Sequence, residues 1–357
     1  MPNPDSSHKV PKPAAGPIDL SPADRTLFSQ IVRLPWSEWN SLWSRIHLPE
    51  GVKQHAKRVL ILQGNLRIAD LDPVTSVGKG LFFYGPPGTG KTSIARGLAN
   101  EFATAIDKEV LLIEIATHQL SSEELGKGPK QVEMAFERVA EFATSGMEII
   151  CFLDEVESVG ANRSQSLSGA DPKDVARMTN AALQGIDHLS RLGNVHLIVT
   201  SNLPKGVDSA FLDRMYALYV PLPDALWRCL ILQDALAELN DKLNTKIRLP
   251  LNGRNSLSIE GLPKQWKRLL VATEGLSGRQ LRKLVFVALA GREETTKQPS
   301  TLTLNDLINT VEKAQAQRRQ DVLSGGVYDY YTQPIQQRRN NGQQWNDAIE
   351  PLDRFIS

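Results

Sequence analysis

The sequence predicts an α/β chain: a doubly wound, five-stranded parallel sheet followed by a small all-α domain. Three observations predict it. Short apolar runs alternate with segments of helical period up to about residue 222. Beyond Pro221-Leu-Pro223 only helical period remains. A glycine-rich loop pattern joins one of the apolar runs to one of the helical segments.

The first 22 residues hold Pro2, Pro4, Pro11, Pro13, Pro17 and Pro22 among Ser, Lys, Gly and Ala. Such a stretch buries too little apolar surface to offset its ordering entropy, so residues 1–24 read as a flexible tail, either a spacer or a docking peptide. Trp36, Trp39, Trp43 and Ile46 fall on one face of a helix, and the stripe reads as core. The expected strands are Gly80–Tyr84, Val110–Ile115, Ile149–Leu153, Val195–Thr200 and Ala217–Val220. Thr92–Phe102, Pro129–Phe142 and Asp174–Leu189 read as helices between them, which implies a parallel sheet covered on both faces. Residues 25–222 form the large domain on this reading and residues 223–316 the helical one. The latter holds helices over Ala225–Leu239, Pro263–Thr273, Ser277–Gly291 and Leu304–Ala316, the last opened by a capping-box-like Thr303…Asp306. Residues 317–357, rich in Gln, Asn and Arg, read as a partly ordered tail.

Composition narrows the function classes. Hydrophobic residues at 41% and charged residues at 23% describe a globular chain, not a disordered or fibrous one. Lys+Arg 41 against Asp+Glu 40 leaves a net charge of +1, so bulk charge supports neither nucleic acid nor a membrane surface as partner. Only Cys151 and Cys229 are present, which excludes a disulfide framework and makes a reducing cytoplasm the simpler setting. No apolar run approaches the ~18–20 residues of a membrane span, and the first residues carry no secretory signal.

Gly85-Pro86-Pro87-Gly88-Thr89-Gly90-Lys91-Thr92 fits G-x-x-x-x-G-K-[ST], and it follows a predicted strand and opens a predicted helix. Backbone N–H groups of such a loop wrap phosphate oxygens, and the helix start adds a favourable dipole. Lys91 is placed to reach the β- and γ-phosphates of ATP, and the Thr92 hydroxyl to ligate Mg²⁺. Asp154-Glu155 ends an apolar strand, at the carboxyl edge where nucleotides bind in such sheets. Asp154 is expected to hold the metal, directly or through water, and Glu155 to polarise the attacking water. Asn202, at the tip of the fourth strand, can meet the γ-phosphate or that water, although Ser-Asn is also ordinary turn chemistry. Arg214, just beyond, can reach a neighbouring subunit's γ-phosphate, or form a local pair with Asp213. Arg279 opens a helix of the all-α domain and can fold onto the phosphates, or merely sit in a helical first turn.

These elements in this order resemble an AAA+ ATPase from about Trp43 to Ala316, with Walker A, Walker B, sensor-1 Asn, arginine finger, sensor-2 Arg and a helical lid. The runs Phe152–Ser158, Asp174–Asp187, Thr200–Asn202, Ala210–Arg214 and Gly275–Leu284 are similar to the pachytene-checkpoint family, also called thyroid-receptor-interacting ATPases. That resemblance implies an ATP-dependent homo-hexamer that pulls on the N-terminus of a HORMA-domain protein and opens its closed form. Bacterial relatives do so in anti-phage operons with cyclic-oligonucleotide synthases, as negative regulators. By the same resemblance Glu155 is the catalytic acid/base, Arg214 the finger acting in trans and Arg279 the sensor. Ile46–Val52 would border the adenine. Glu123–Gly126, with Glu124, Leu125 and Gly126, would be the first substrate-gripping pore loop, and Gly160–Lys173 the second.

Two departures stand out. Only the proline-rich tail and the tryptophan stripe precede the ATPase core, which favours direct substrate engagement and a bacterial relative. The first pore loop has no aromatic, only Leu125. The competing readings are a protease-associated unfoldase, a DNA-handling ATPase of the same superfamily, and a nucleotide-gated scaffold. Neutral charge and the lack of a zinc-type Cys/His cluster weigh against the DNA reading. Neither an aromatic-glycine pore motif nor a second arginine after Arg214 appears for the unfoldase, and intact Lys91, Asp154, Glu155 and Arg214 weigh against the scaffold.

Overall fold

A computed structural model describes residues 15–48, 50–68, 79–120, 127–159, 172–203, 206–247 and 261–324. Its sheet has seven strands: β1 (Gly16–Pro17), β2 (Phe28–Leu34), β3 (Gly80–Tyr84), β4 (Val110–Ile115), β5 (Glu148–Leu153), β6 (Val195–Ser201) and β7 (Met215–Tyr219). They lie in the order β1-β2-β4-β5-β6-β3-β7. The last five are the expected parallel strands. The first two are additional and antiparallel, so the sheet is mixed and larger than the five strands expected. β2 pairs along the whole of β4, from Phe28↔Ile115 to Leu34↔Val110, and covers what would otherwise be an open edge. Its sequence, Phe-Ser-Gln-Ile-Val-Arg-Leu, carries polar residues and a register irregularity between Phe28 and Gln30, which blurs the period-2 signal.

The β1 pairing corrects the reading of residues 1–24 as one flexible tail. Gly16 and Pro17 pair with Arg33 and Val32, and Asp24 is buried. Arg138 Nε donates to Asp24 Oδ1 at 2.9 Å, and that guanidinium holds the Asp24 carboxyl below its ordinary range. Residues 1–14 lie outside the described residues.

Helices cover both faces of the sheet. On one side are α1 (Asn40–Ser44), α2 (Glu50–Ile68) and α3 (Lys91–Ile106), and on the other α4 (Thr117–Leu120), α5 (Lys127–Ala143) and α6 (Pro172–Leu189). Strand alternation sorts the side chains between two cores. Phe82, Tyr84, Cys151 and Leu153 face the α5–α6 core; Leu81, Phe83, Ile150 and Phe152 face the α3 core. The tryptophan stripe does not form one helix. Trp36 is extended and Trp39 lies in a 3₁₀ turn, so only Trp43 sits on α1, yet all three pack on the α3 core.

After α7 (Ser209–Leu212) and β7 come α8 (Ala225–Leu243), α9 (Lys264–Ala272), α10 (Gly278–Leu289), α11 (Glu293–Lys297) and α12 (Leu304–Ser324), and all of these but α11 contribute to the second core. Fully buried Trp266 sits within it. The Thr303/Asp306 cap forms in both directions, Asp306 Oδ2 accepting from Thr303 N at 2.9 Å and Thr303 Oγ1 from Asp306 N at 3.3 Å. α12 continues through residues 317–324, where the tail was expected to begin.

Candidate functional site

The loop between β3 and α3 is shaped by its glycines. Gly85 (φ 153°) and Gly88 (φ 76°) both lie in the region L side chains avoid. A Cβ on Gly85 would stand 2.2 Å from the Val220 carbonyl oxygen, and one on Gly88 would stand 2.7 Å from Ser277 Oγ. Glycine is thus required by backbone conformation and by close approach of β7's end and of the helical domain. The loop opens onto a cavity of about 550 Å³ lined by residues 87–93, by Ile46, His47 and Leu48, by Asp154, Glu155 and Asn202, and by Trp227, Ile231 and Arg279. Of the expected adenine border Ile46–Val52, residues 46–48 reach this cavity.

Lys91 is buried in the loop, its Nζ donating to Gly85 O at 2.9 Å and Pro86 O at 2.8 Å. Burial pulls its pKa from 10.5 down to about 8, against the opposing charges of Glu157, Asp154 and Glu155. Thr92 Oγ1 donates to both oxygens of Asp154, at 2.8 and 3.1 Å. This all-oxygen pair suits a hard cation such as Mg²⁺, which takes one or two protein oxygens and fills its shell with water and phosphate.

Glu155 has left-handed backbone (φ 52°), and three neighbours hold it. Its N–H donates to Thr200 Oγ1 at 3.1 Å, Asn202 Nδ2 donates to Oε1 at 2.7 Å, and His118 Nε2 lies 2.8 Å from Oε2. Thr200 is fully buried at the end of β6 and its hydroxyl donates to Asp154. Asn202's own N–H donates to Glu157 Oε1 at 3.0 Å. The structure therefore gathers Lys91, Thr92, Asp154, Glu155, Asn202 and Arg279 at one cavity. It adds His118, Glu157 and Thr200, which sequence reasoning missed. Glu157 was the legible one, a third acid two residues past Glu155. His118 and Thr200 become visible only when β4, β5 and β6 lie side by side.

Arg279 is placed by the start of α10. Ser277 caps that helix through a capping box with Gln280, and Arg279 N donates to Gly88 O at 3.1 Å. Arg214 lies elsewhere. It precedes β7 at the amino-terminal edge of the sheet, whereas the glycine loop leaves the carboxyl edge of the adjacent β3. A five-residue strand, about 16 Å, separates them. Arg214 does not pair with Asp213, the local alternative. Its Nε and Nη2 donate to Asp187 at 2.8 and 3.1 Å, and Lys79 shares that carboxylate. Both expected pore loops, residues 123–126 with Glu124, Leu125 and Gly126, and residues 160–171, lie outside the described residues.

Five parallel strands with a Lys-bearing glycine loop, an Asp-Glu pair two strands over and a helical domain bonded to the loop define a nucleotide-binding ATPase of the AAA class. Residues 81–221 match the family model described as ATPase family associated with various cellular activities (AAA). CD-NTase-associated protein 6 from Pseudomonas aeruginosa is 33% identical over 306 residues, covering 84% of this chain and 96% of that protein. The pachytene checkpoint protein 2 homolog of Arabidopsis thaliana is 30% identical over 312 residues, 80% of this chain and 66% of that protein. The fold superposes on a chain from the structure of the E. coli MS115-1 HORMA:CdnC:Trip13 complex with a TM-score of 0.64 at 18% identity, covering 82% and 97% of the two chains. The chain belongs to the AAA ATPase family, in the pachytene-checkpoint branch that includes bacterial relatives.

Proposed function

We propose that this chain is an ATP-driven remodeler of a HORMA-domain protein, working in the cytoplasm as a homo-hexamer to disassemble an activated anti-phage signalling complex. One observation carries the reading: similarity to CD-NTase-associated protein 6 extends over 96% of that protein, helical domain included. The structural neighbour that contains a HORMA protein and CdnC is in keeping with it. Among the described residues no helix is long and apolar enough to cross a membrane, and the near-zero net charge gives no footing for nucleic acid.

In this reading ATP occupies the cavity between the two domains. Backbone N–H groups of residues 85–90 and the Lys91 ammonium take the phosphates, for which Lys91 leaves the carbonyls of Gly85 and Pro86. Thr92 and Asp154 would hold Mg²⁺, which would supply positive charge against the charge that develops on the phosphate. Glu155 accepts the proton of the attacking water, and Asn202 fixes its carboxylate. Arg279 reports phosphate occupancy to the helical domain. Arg214 is a strand's length from its own loop, so it serves a neighbouring subunit's site. Residues 123–126 and 160–173 grip the client.

The test is a trap. Tagged Glu155→Gln protein is incubated with ATP, Mg²⁺ and source-cell lysate, and the assembly is isolated beside a Lys91→Ala control. Enrichment of a HORMA-domain protein over the control supports the reading. A protease subunit, a replication protein or nothing specific sinks the HORMA assignment and leaves the ATPase.

A further inference from the structure

The cavity is bonded across its two domains at a second place, away from the phosphate loop in sequence and chemistry. Two carboxylates one helical turn apart on α8, Asp234 and Glu238, meet the linker between α1 and α2. Asp234 Oδ2 lies 2.8 Å from His47 Nε2. Glu238 Oε1 accepts from Arg45 Nη1 at 2.8 Å, and its Oε2 accepts from Arg282 Nη1 at 2.7 Å. Arg282 is one turn beyond Arg279 on α10, so one helix carries both the loop contact and this one. Arg45, His47, Glu238 and Arg282 all line the cavity, next to Ile46 and Leu48 on the linker and Ile231 on α8.

We propose that Arg45, His47, Asp234, Glu238 and Arg282 form a polar clasp that holds the helical domain against the linker and sets the rate of nucleotide release. This rests on the reading of the cavity as the nucleotide site. A ligand held between the linker and α8 leaves only when those walls part. Parting them separates His47 from Asp234 and Arg45 from Glu238. The carboxylate of Glu238, shared between a linker arginine and a lid arginine, makes the linker, α8 and α10 move as one wall. The two arginine pairs to Glu238 are partly exposed, so each is weak and salt-sensitive, which suits a wall that must open once per turnover. None of these side chains touches the Asp154–Glu155–Asn202 group, so they are positioning residues.

The experiment is stopped-flow release of a fluorescent ADP from the full chain over a range of salt. Glu238→Gln combined with Asp234→Asn is expected to release about three- to tenfold faster than the parent. The parent's rate should rise with salt, and the double variant's should rise less. Arg45→Gln alters only the linker side and serves as an independent variant. Its effect should be shared with, not added to, that of Glu238→Gln. Release at the parental rate with the parental salt slope, in protein that keeps its circular dichroism spectrum, overturns the clasp. Failure of the parent itself to bind the nucleotide overturns both the nucleotide reading and the clasp.

Discussion

Replacing Thr200 by Val tests whether a buried hydroxyl aligns the acidic pair. Thr200 is fully buried, donates to Asp154 and accepts the Glu155 N–H. Valine has the same shape, so no cavity opens. What is lost is one hydrogen bond to a charged acceptor, about 1.5–3 kcal/mol, plus the acceptor of the part-buried Glu155 N–H, about 1 kcal/mol. Asp154 keeps the Thr92 hydroxyl, so the total should be about 3 kcal/mol rather than the sum of the upper limits. At about 2–4 °C per kcal/mol this lowers the unfolding midpoint by roughly 10 °C. The left-handed backbone at Glu155 loses its anchor, and displacing a catalytic carboxylate by an ångström costs on the order of 10²-fold in turnover. Calorimetry reads the first quantity and steady-state phosphate release the second. Thr200→Ser keeps the hydroxyl and should lose only about 1 kcal/mol for a buried methyl, with turnover near the parent's. If Val and Ser behave alike, or if Val keeps parental turnover, the hydroxyl does not organise the site.

Three further outcomes are expected. Glu155→Gln should lower hydrolysis by about 10²–10⁴-fold while ATP binding measured by filter retention persists. Arg214→Ala should lower turnover by on the order of 10³-fold, and mixing it with Glu155→Gln subunits should restore part of the rate, because a mixed interface of one orientation pairs the intact Glu155 of one subunit with the intact Arg214 of its neighbour; no recovery would place Arg214 outside catalysis. Lys91, with its folded pKa of about 8 below the ordinary 10.5, binds fewer protons folded than unfolded between those values, so stability of the nucleotide-free protein should rise with pH through that window. Bringing phosphate to the lowered Lys91 ammonium favours its charged form, so nucleotide binding near pH 8 should take up a fraction of a proton, seen by calorimetry in buffers of different ionisation heat.

Much of the site was legible because its chemistry is local. The glycine loop must be contiguous for consecutive N–H groups to converge, and Asp154-Glu155 must end a strand to reach the sheet's carboxyl edge. Lys91, Thr92, Asp154, Glu155, Asn202 and Arg279 accordingly meet at one cavity. Four of the parallel strands, β3 to β6, were legible for a similar reason, being buried on both faces and written as near-continuous apolar runs. β1 and β2 were not, because an edge pair carries polar residues and leans on its neighbour for half its signal. The tryptophans announced burial correctly and the wrong geometry, since apolar spacing does not record whether a segment is helical or merely folded back on a core.

By itself the sequence determined the class of fold, the glycine loop after β3 and the acidic pair that ends β5, all set by local spacing and solvent exclusion. The tertiary structure alone decided the partnerships between segments far apart in the chain. It brought His118 and Thr200 to Glu155, set Arg214 against Asp187 a strand's length from its own loop, and joined Arg45 and His47 to α8 across the cavity. Those partnerships come from strand order and from the way the helical domain folds back on the loop, and neither strand order nor domain docking is encoded in the spacing of neighbouring residues.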